Sequence, residues 1–182
     1  MSTPHPVSPL VDTAWVKANL GRPNIVLLDV RSPRPAGPFI PEAVHSDYAK
    51  DGWRATINGL PGFLPPAPAL EALIGGLGIG NDDHVVIVSS GENAPDMGNA
   101  TRVYWTFKVL GHDAVSVLDG GMAAWTADPA NAVALEPAVR PAKIFTAAPR
   151  PQLRATLTEV EGAVRAGDTP LVDSRSAEQF AG

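Results

Sequence analysis

Apolar runs of strand length recur along the chain and are separated by longer segments. The runs at residues 24–30, 85–88 and 115–118 are dominated by Val, Ile and Leu. Continuous apolar residues of this length are typical of strands that are covered on both faces of a mostly parallel sheet. We therefore predict that these three runs form neighbouring strands in the centre of one sheet.

Between and before these runs, apolar residues recur at helical spacing, and polar residues mark where the predicted helices begin. The first helix follows Asp12 as its N-cap and stops at Gly21, and the second follows Pro68, a residue suited to a first turn. The third follows Asn99 as its N-cap, after a polar loop at residues 89–98. Strands that alternate with helices predict an α/β domain with right-handed crossovers, ending near residue 127.

Proline-rich segments predict irregular structure elsewhere. Residues 1–10 are expected to form an irregular tail, and residues 33–68 a loop-rich crossing with about one turn of helix. Residues 128–152 are rich in Pro and Ala, which favours an interdomain linker with one short strand at residues 143–145.

The chain repeats part of itself after this linker. Residues 16–32 align without a gap with residues 160–176, and both copies end in Asp-x-Arg-Ser, at 29–32 and 173–176. A repeat of this kind indicates a duplicated domain. The sequence therefore predicts a first domain at 10–127, a linker at 128–152 and the start of a second domain at 153–182, which is too short to bury a core by itself.

Composition limits the chemistry that the chain can perform. It has 182 residues, a formal net charge of −5 and no cysteine, which excludes disulfides, thiolate metal sites and thiol catalysis within the chain. The negative charge argues against nucleic acid and membranes as partners, and the N-terminus lacks the pattern of a signal peptide, so a cytoplasmic protein is expected. The four histidines, His5, His45, His84 and His112, show no ligand spacing, and neither a metal nor a cofactor is predicted.

Four motifs together resemble a rhodanese domain from one end to the other. They are the strand exit at 27–32 with Asp29 and Arg31, the segment 39–44, Arg102-x-x-Trp105, and the strand–turn–helix segment 115–125 with Asp119-Gly120-Gly121 and Trp125. Residues 171–182 resemble the start of another such domain. The whole chain is similar to the N-terminal part of the tandem-domain rhodanese family, the thiosulfate/3-mercaptopyruvate sulfurtransferases. This resemblance implies a three-layer α/β/α fold with a parallel sheet.

The resemblance also implies where catalysis takes place. In this family the first domain is silent, and the second carries a nucleophilic cysteine in the loop after its central strand, where the first domain here has Ser89-Ser90-Gly91. The cysteine is thus expected beyond residue 182, and no catalytic residue is expected in this chain. A thiolate ringed by backbone N–H groups can accept a sulfane sulfur as a persulfide and pass it to cyanide or a thiol, which serine cannot do.

Partners of three kinds follow from the resemblance: a small-molecule sulfur donor, a sulfur acceptor, and the remaining C-terminal part of the same protein, in one chain or as a separate cleaved chain. The substrate-cleft candidates are Asp173, Arg175 and Gln179. Mercaptopyruvate-type relatives usually have an arginine where Gln179 stands, so thiosulfate is the preferred donor. For Asp29 and Arg31 a structural ion pair is favoured over a catalytic role, whereas for Asp173 and Arg175 the two interpretations are balanced.

Other interpretations remain open. The absence of cysteine favours a non-catalytic rhodanese-like protein used for binding or regulation, and a phosphatase of rhodanese-like fold would also need a downstream cysteine. The glycine-rich segment 75–80 superficially suggests a dinucleotide-binding loop. Such a loop follows a strand and precedes a helix, and here the order is reversed, so this interpretation is rejected.

Overall fold

The computed structural model describes residues 8–182. Most of the tail predicted at residues 1–10, and His5 with it, lies outside the described residues. The chain divides into two compact units, the first up to Arg150 and the second from Pro151 to Gly182. In the described part, no helix is long and apolar enough to cross a lipid bilayer.

A five-stranded parallel sheet forms the centre of the first unit, and its strands in spatial order are β1 (Leu10–Val11), β7 (Val115–Leu118), β6 (His84–Val88), β2 (Ile25–Asp29) and β3 (Val44–His45). The predicted strands are present as β2, β6 and β7, and the predicted helices as α1, α2 and α3, although α3 starts earlier than expected. The elements of this unit are β1 (Leu10–Val11), α1 (Thr13–Asn19), β2 (Ile25–Asp29), β3 (Val44–His45), β4 (Ala55–Ile57), β5 (Leu60–Phe63), α2 (Ala67–Gly76), β6 (His84–Val88), α3 (Ala94–Val109), β7 (Val115–Leu118) and α4 (Gly121–Thr126).

Successive side chains of the central strands enter two separate cores. Val26 and Leu28 of β2 pack in the core that contains residues of α2 and α3, whereas Leu27 packs in the core that contains residues of α1 and α4. Side chains of a strand alternate between the two faces of its sheet. Because both faces are covered by helices, both sets must be apolar, which explains the continuous apolar runs and confirms the predicted α/β/α fold with a parallel sheet.

The helix starts agree with the sequence in one case and correct it in another. The Asp12 side chain accepts a hydrogen bond from the Trp15 N–H at 2.7 Å, as expected of the N-cap of α1. The prediction that Asn99 caps α3 is wrong, because α3 begins at Ala94 and Asn93 accepts from the Asp96 N–H at 3.0 Å. An Asn cap followed by Pro in the first turn is a strong start signal, and it lies within the segment interpreted as a polar loop.

The proline-rich crossing also differs from its prediction. Residues 33–66 form no helix; they contain the short strand β3 and a hairpin of β4 and β5. The hairpin turns at Asn58-Gly59, where both residues have positive φ, +52° and +79°. An Asn-Gly pair between two short strands is a frequent signal for such a turn.

The segment predicted as a linker packs along the first unit, and we call residues 134–150 the belt. Its backbone bonds to three parts of the domain: Ala134 pairs with Phe39, Lys143 N–H donates to Gly75 O at 3.0 Å, and Ala148 N–H donates to Leu110 O at 2.8 Å. The Phe145 side chain is only 4% exposed and joins the core beside α2 and α3. The strand predicted at residues 143–145 is absent, because the belt lies against the ends of helices there and has no strand to pair with.

Glycines make room for the belt. A Cβ atom at Gly75 would lie 2.5 Å from the Lys143 carbonyl oxygen, and one at Gly78 would lie 2.5 Å from the Cβ of Arg140. Both distances are far below van der Waals contact. The glycine-rich segment 75–80 therefore serves close packing of the belt.

The second unit contains a 3₁₀ turn (Pro151–Leu153), α5 (Leu157–Ala166) and α6 (Ala177–Ala181). The repeat extends to the helix start, because α5 begins 144 residues after α1, and Thr156, the counterpart of Asp12, caps it in a capping box with Glu159. No residue of this unit is buried. Residues 171–172 are the counterparts of Leu27 and Leu28 in β2, but they form no strand, since this unit has no neighbouring strand to pair with them, and Val172 is 89% exposed.

Candidate functional site

A cleft of about 650 Å³ opens at the carboxyl edge of the first unit's sheet. It is formed by the loop after β2, the loop between β6 and α3, and α4. In open parallel sheets, ligands bind at this edge. Arg31 and Ser90, two residues singled out from the sequence, contribute to its lining.

The loop Ser89-Ser90-Gly91 is held by the turn Asp119-Gly120-Gly121. The Ser89 and Ser90 carbonyls accept hydrogen bonds from the first turns of α4, from Met122 and Ala123, both at 2.8 Å. A Cβ atom at Gly91 would lie 1.9 Å from the Gly120 carbonyl oxygen, and one at Gly121 would lie 2.5 Å from the Ser89 carbonyl oxygen. Only glycine fits these contacts, so the turn and the loop form one closely packed structure.

Asp96 fills the position where this loop would bind an anion. Its carboxylate accepts hydrogen bonds from the N–H groups of Ser90 at 3.1 Å and Gly91 at 2.9 Å. Backbone N–H groups next to a helix N-terminus bind anions, and here the anion is the protein's own side chain. Asp96 therefore takes up the donors that an external anion would need. Its position three residues after the N-cap Asn93 is the signal that identifies it.

Asp29 and Arg31 form a closed ion pair at the exit of β2. Arg31 Nη2 lies 2.7 Å from Asp29 Oδ2, and the Arg31 N–H also donates to this carboxylate, at 3.1 Å. Arg31 further donates to the Pro38 carbonyl at 2.8 Å, and its guanidinium lies over the Phe39 ring, 5.0 Å from the centroid. Asp29 is fully buried. The pair joins the strand exit to the wall of the cleft.

Asp173 and Arg175 repeat this geometry in the second unit. Arg175 Nη2 lies 2.5 Å from Asp173 Oδ2, and the Arg175 N–H donates to Asp173 Oδ1 at 3.0 Å. These hydrogen bonds lower the pKa of Asp173. Gln179 lies in the first turn of α6, and its N–H donates to the Ser176 cap at 3.3 Å. All three residues belong to the second unit, whereas the residues that line the cleft described above all belong to the first.

Structural partners account for Trp125 and the described histidines. The Trp125 indole N–H donates to the Ala132 carbonyl at 2.9 Å within the core. His45 contacts the Arg31 carbonyl, His84 contacts the Ser116 hydroxyl, and burial lowers the pKa of both His84 and His112. Within residues 8–182, no three His, Cys, Asp or Glu side chains lie close enough together to hold a metal ion.

Comparisons with known proteins agree with this geometry. The rhodanese-like domain family matches residues 12–128. The chain is 36% identical over 129 residues to thiosulfate/3-mercaptopyruvate sulfurtransferase 1 of Arabidopsis thaliana, covering 65% of this chain and 32% of that protein. It is 33% identical over 178 residues to a protein of Saccharopolyspora erythraea with a provisional thiosulfate sulfurtransferase name, covering 95% of this chain and 59% of that protein.

Solved structures share the fold. SseA of Escherichia coli, a 3-mercaptopyruvate sulfotransferase, superposes with a TM-score of 0.80 at 24% identity, covering 96% of this chain and 68% of SseA. The 3-mercaptopyruvate sulfurtransferase of Leishmania major gives 0.72 at 19% identity, covering 99% and 50%. The chain spans about three fifths of the length of the bacterial sulfurtransferase relatives that it matches. The family match, the sheet order and the paired loops at the carboxyl edge lead to one conclusion: this chain belongs to the rhodanese-like domain family.

Proposed function

We propose that this chain is the N-terminal portion of a cytoplasmic sulfurtransferase whose first domain is catalytically silent. The intact protein moves a sulfane sulfur from thiosulfate, or from 3-mercaptopyruvate, to cyanide or a thiol. The sulfur is carried as a persulfide on a cysteine that follows residue 182. The chain by itself is inactive, because it contains no cysteine.

The observation that carries the proposal is the occupied anion site of the 89–91 loop. A persulfide cycle needs a thiolate, and the thiolate needs free N–H groups around it. Here the nucleophile position holds serine, and the Asp96 carboxylate already accepts from Ser90 and Gly91. In this proposal, sulfur transfer takes place in the second domain, and the first domain packs against it and forms part of the wall of its cleft.

Two features of the second unit support a catalytic second domain. The Asp173–Arg175 pair reproduces the hydrogen bonds of Asp29 and Arg31, as a duplicated strand exit requires. Its apolar residues also stand uncovered, including Val164 on α5, which is 61% exposed. In the first copy of the repeat, the corresponding face of α1 packs against strands of the parallel sheet. We therefore expect strands of a second parallel sheet to cover α5.

Thiosulfate is the preferred donor. A neutral side chain at Gln179 cannot hold a substrate carboxylate with the two charge-assisted hydrogen bonds that an arginine provides. In the proposed cycle, the thiolate attacks the outer sulfur of thiosulfate and releases sulfite. Cyanide then takes this sulfur as thiocyanate and returns the thiolate.

The test joins an intact-mass measurement of the natural polypeptide with a thiocyanate assay. We expect the protein isolated from its source to include a cysteine-containing polypeptide beyond residue 182, and to form thiocyanate from thiosulfate and cyanide. The 182-residue chain alone is expected to form none above the uncatalysed background. A natural polypeptide that ends at Gly182 without a cysteine-containing companion would overturn the proposal.

That result would support the second candidate, a non-catalytic rhodanese-like binding protein. The specific observation in its favour is that the sequence contains no cysteine while the cleft at the sheet edge remains open. The two functions separate in one further measurement, since a binding protein would form no thiocyanate at any length of the chain.

A further inference from the structure

Two arginines, one within α3 and one bonded to it, have no carboxylate partner in the part of the chain that the structure describes. Arg54 follows the loop after β3, and Arg102 lies in the middle of α3. Among the described residues, neither forms an ion pair, although Asp47 and Asp51 lie nearby in sequence. Those two carboxylates accept from other side chains: Asp47 from the Ser32 hydroxyl in the loop after β2, and Asp51 from the Ser46 hydroxyl in its own loop.

Tyr48 brings the two guanidinium groups together. The Arg54 guanidinium lies over the Tyr48 ring, 5.4 Å from its centroid, and Arg102 Nη1 donates to the Tyr48 hydroxyl at 3.5 Å. Thr106 holds Arg54 against α3, because its hydroxyl accepts from Arg54 Nη1 at 3.1 Å and donates to the Arg102 backbone carbonyl at 2.8 Å. Two guanidinium groups therefore contact the same tyrosine, one over its ring and the other at its hydroxyl.

The Arg54 guanidinium is incompletely satisfied. Its Nη2 is shielded from solvent and has no hydrogen-bond acceptor. Burial lowers the pKa of Arg54, and the nearby charge of Arg102 acts in the same direction. A buried charged donor without an acceptor is unfavourable, so a small side-chain rotation that meets an anion would stabilise this group.

We propose that Arg54, Arg102 and Tyr48 form a binding site for a small divalent oxyanion such as sulfate or thiosulfate. Two guanidinium groups supply the charge and the planar pairs of N–H donors that oxyanions accept from, and the Tyr48 hydroxyl adds a third polar group. The site lies apart from the cleft at the sheet edge, since the two share no lining residue. Its existence does not depend on the proposed sulfurtransferase function.

The test is a calorimetric titration of the 182-residue chain with sodium sulfate and with sodium thiosulfate, at constant ionic strength set by sodium chloride. We expect saturable binding that weakens about tenfold or more in Arg102→Gln, the loss typical of one charge-assisted hydrogen bond. Arg54→Gln should weaken it at least as much. Arg22→Gln, which changes an exposed arginine in the turn after α1, is the matched control and should bind as the unchanged protein does.

Three results would overturn the proposal. The first is the absence of saturable binding of either anion, and the second is equal affinity in Arg102→Gln and Arg22→Gln. Because Arg102 is exposed, its variant should fold even if Arg54→Gln does not, so this comparison remains decisive. The third is acetate binding as tightly as sulfate, which would show an unselective positive patch.

Discussion

Replacement of Phe145 by alanine tests whether the belt is part of the folded core. Phe145 is 4% exposed and lies edge-on to Phe107, with ring centroids 6.1 Å apart, and 5.6 Å from the ring of His112. Truncation of a buried phenylalanine typically costs about 3–5 kcal/mol, and aromatic pairs contribute beyond their buried area. We expect a loss of about 3 kcal/mol, the lower end, because the belt can partly collapse onto the cavity.

The neighbouring residue provides a matched control. Ile144 is 86% exposed, so Ile144→Ala should change the free energy of unfolding by less than about 0.5 kcal/mol. Urea unfolding followed by tryptophan fluorescence measures both variants in the first unit alone, since all four tryptophans lie before residue 126. The melting temperature of Phe145→Ala should fall by roughly 6–12 °C for a unit of this size. Equal stability of the two variants would show that residues 134–150 are a linker, as the sequence suggested, and would refute the packed belt.

Three further predictions concern the belt, the 89–91 loop and an exposed ion pair. Gly75→Ala should destabilise the folded protein by about 1–3 kcal/mol, because the new Cβ clashes with the belt. Gly76→Ala lies in the same helix with open space around it and should stabilise the protein by up to about 1 kcal/mol. Urea midpoints that shift in the same direction in both variants would contradict this prediction. Ser90→Cys should form no persulfide with thiosulfate, because Asp96 occupies the N–H groups of the loop. An intact mass that increases by one sulfur atom after incubation with thiosulfate would refute this role of Asp96. Asp113→Asn should cost less than about 1 kcal/mol at pH 7, as usual for an exposed ion pair. Hydrogen bonds from Arg150 and then Lys108 lower the pKa of Asp113 in the folded protein. The stabilisation is therefore complete above the ordinary value of 3.8 and decreases progressively as the pH falls towards the lowered pKa. Urea unfolding of both proteins should show a smaller difference at pH 2.5 than at pH 7.

The central sheet could be predicted from the sequence because its physical constraint is simple. Strands covered by helices on both faces need mostly apolar residues along their whole length, and β2, β6 and β7 have them at all positions except Asp29, His84 and Ser116. The start of α1 was equally accessible, since Asp12 is followed directly by helical spacing. These are local signals, and each requires only a few adjacent residues.

The belt was misinterpreted because its order comes from residues far away in the chain. Residues 134–150 have neither a helical nor an alternating pattern, so composition alone suggests a linker. What fixes them is a set of distant partners, including the carbonyls of Gly75 and Leu110. The hairpin of β4 and β5 is a different case: its Asn58-Gly59 turn is a local signal that the high proline content of the crossing obscured.

The 89–91 loop lies between these two cases, and under the proposed function it accounts for a first domain that keeps its fold without a catalytic nucleophile. Loss of a nucleophile would leave a ring of N–H groups without an acceptor, which is unfavourable once the loop is packed against Gly120 and Gly121. Asp96 satisfies two of these groups with a carboxylate from the first turn of α3. The loop thus keeps its shape with an internal carboxylate at its N–H groups, and the residue responsible lies six positions beyond Ser90.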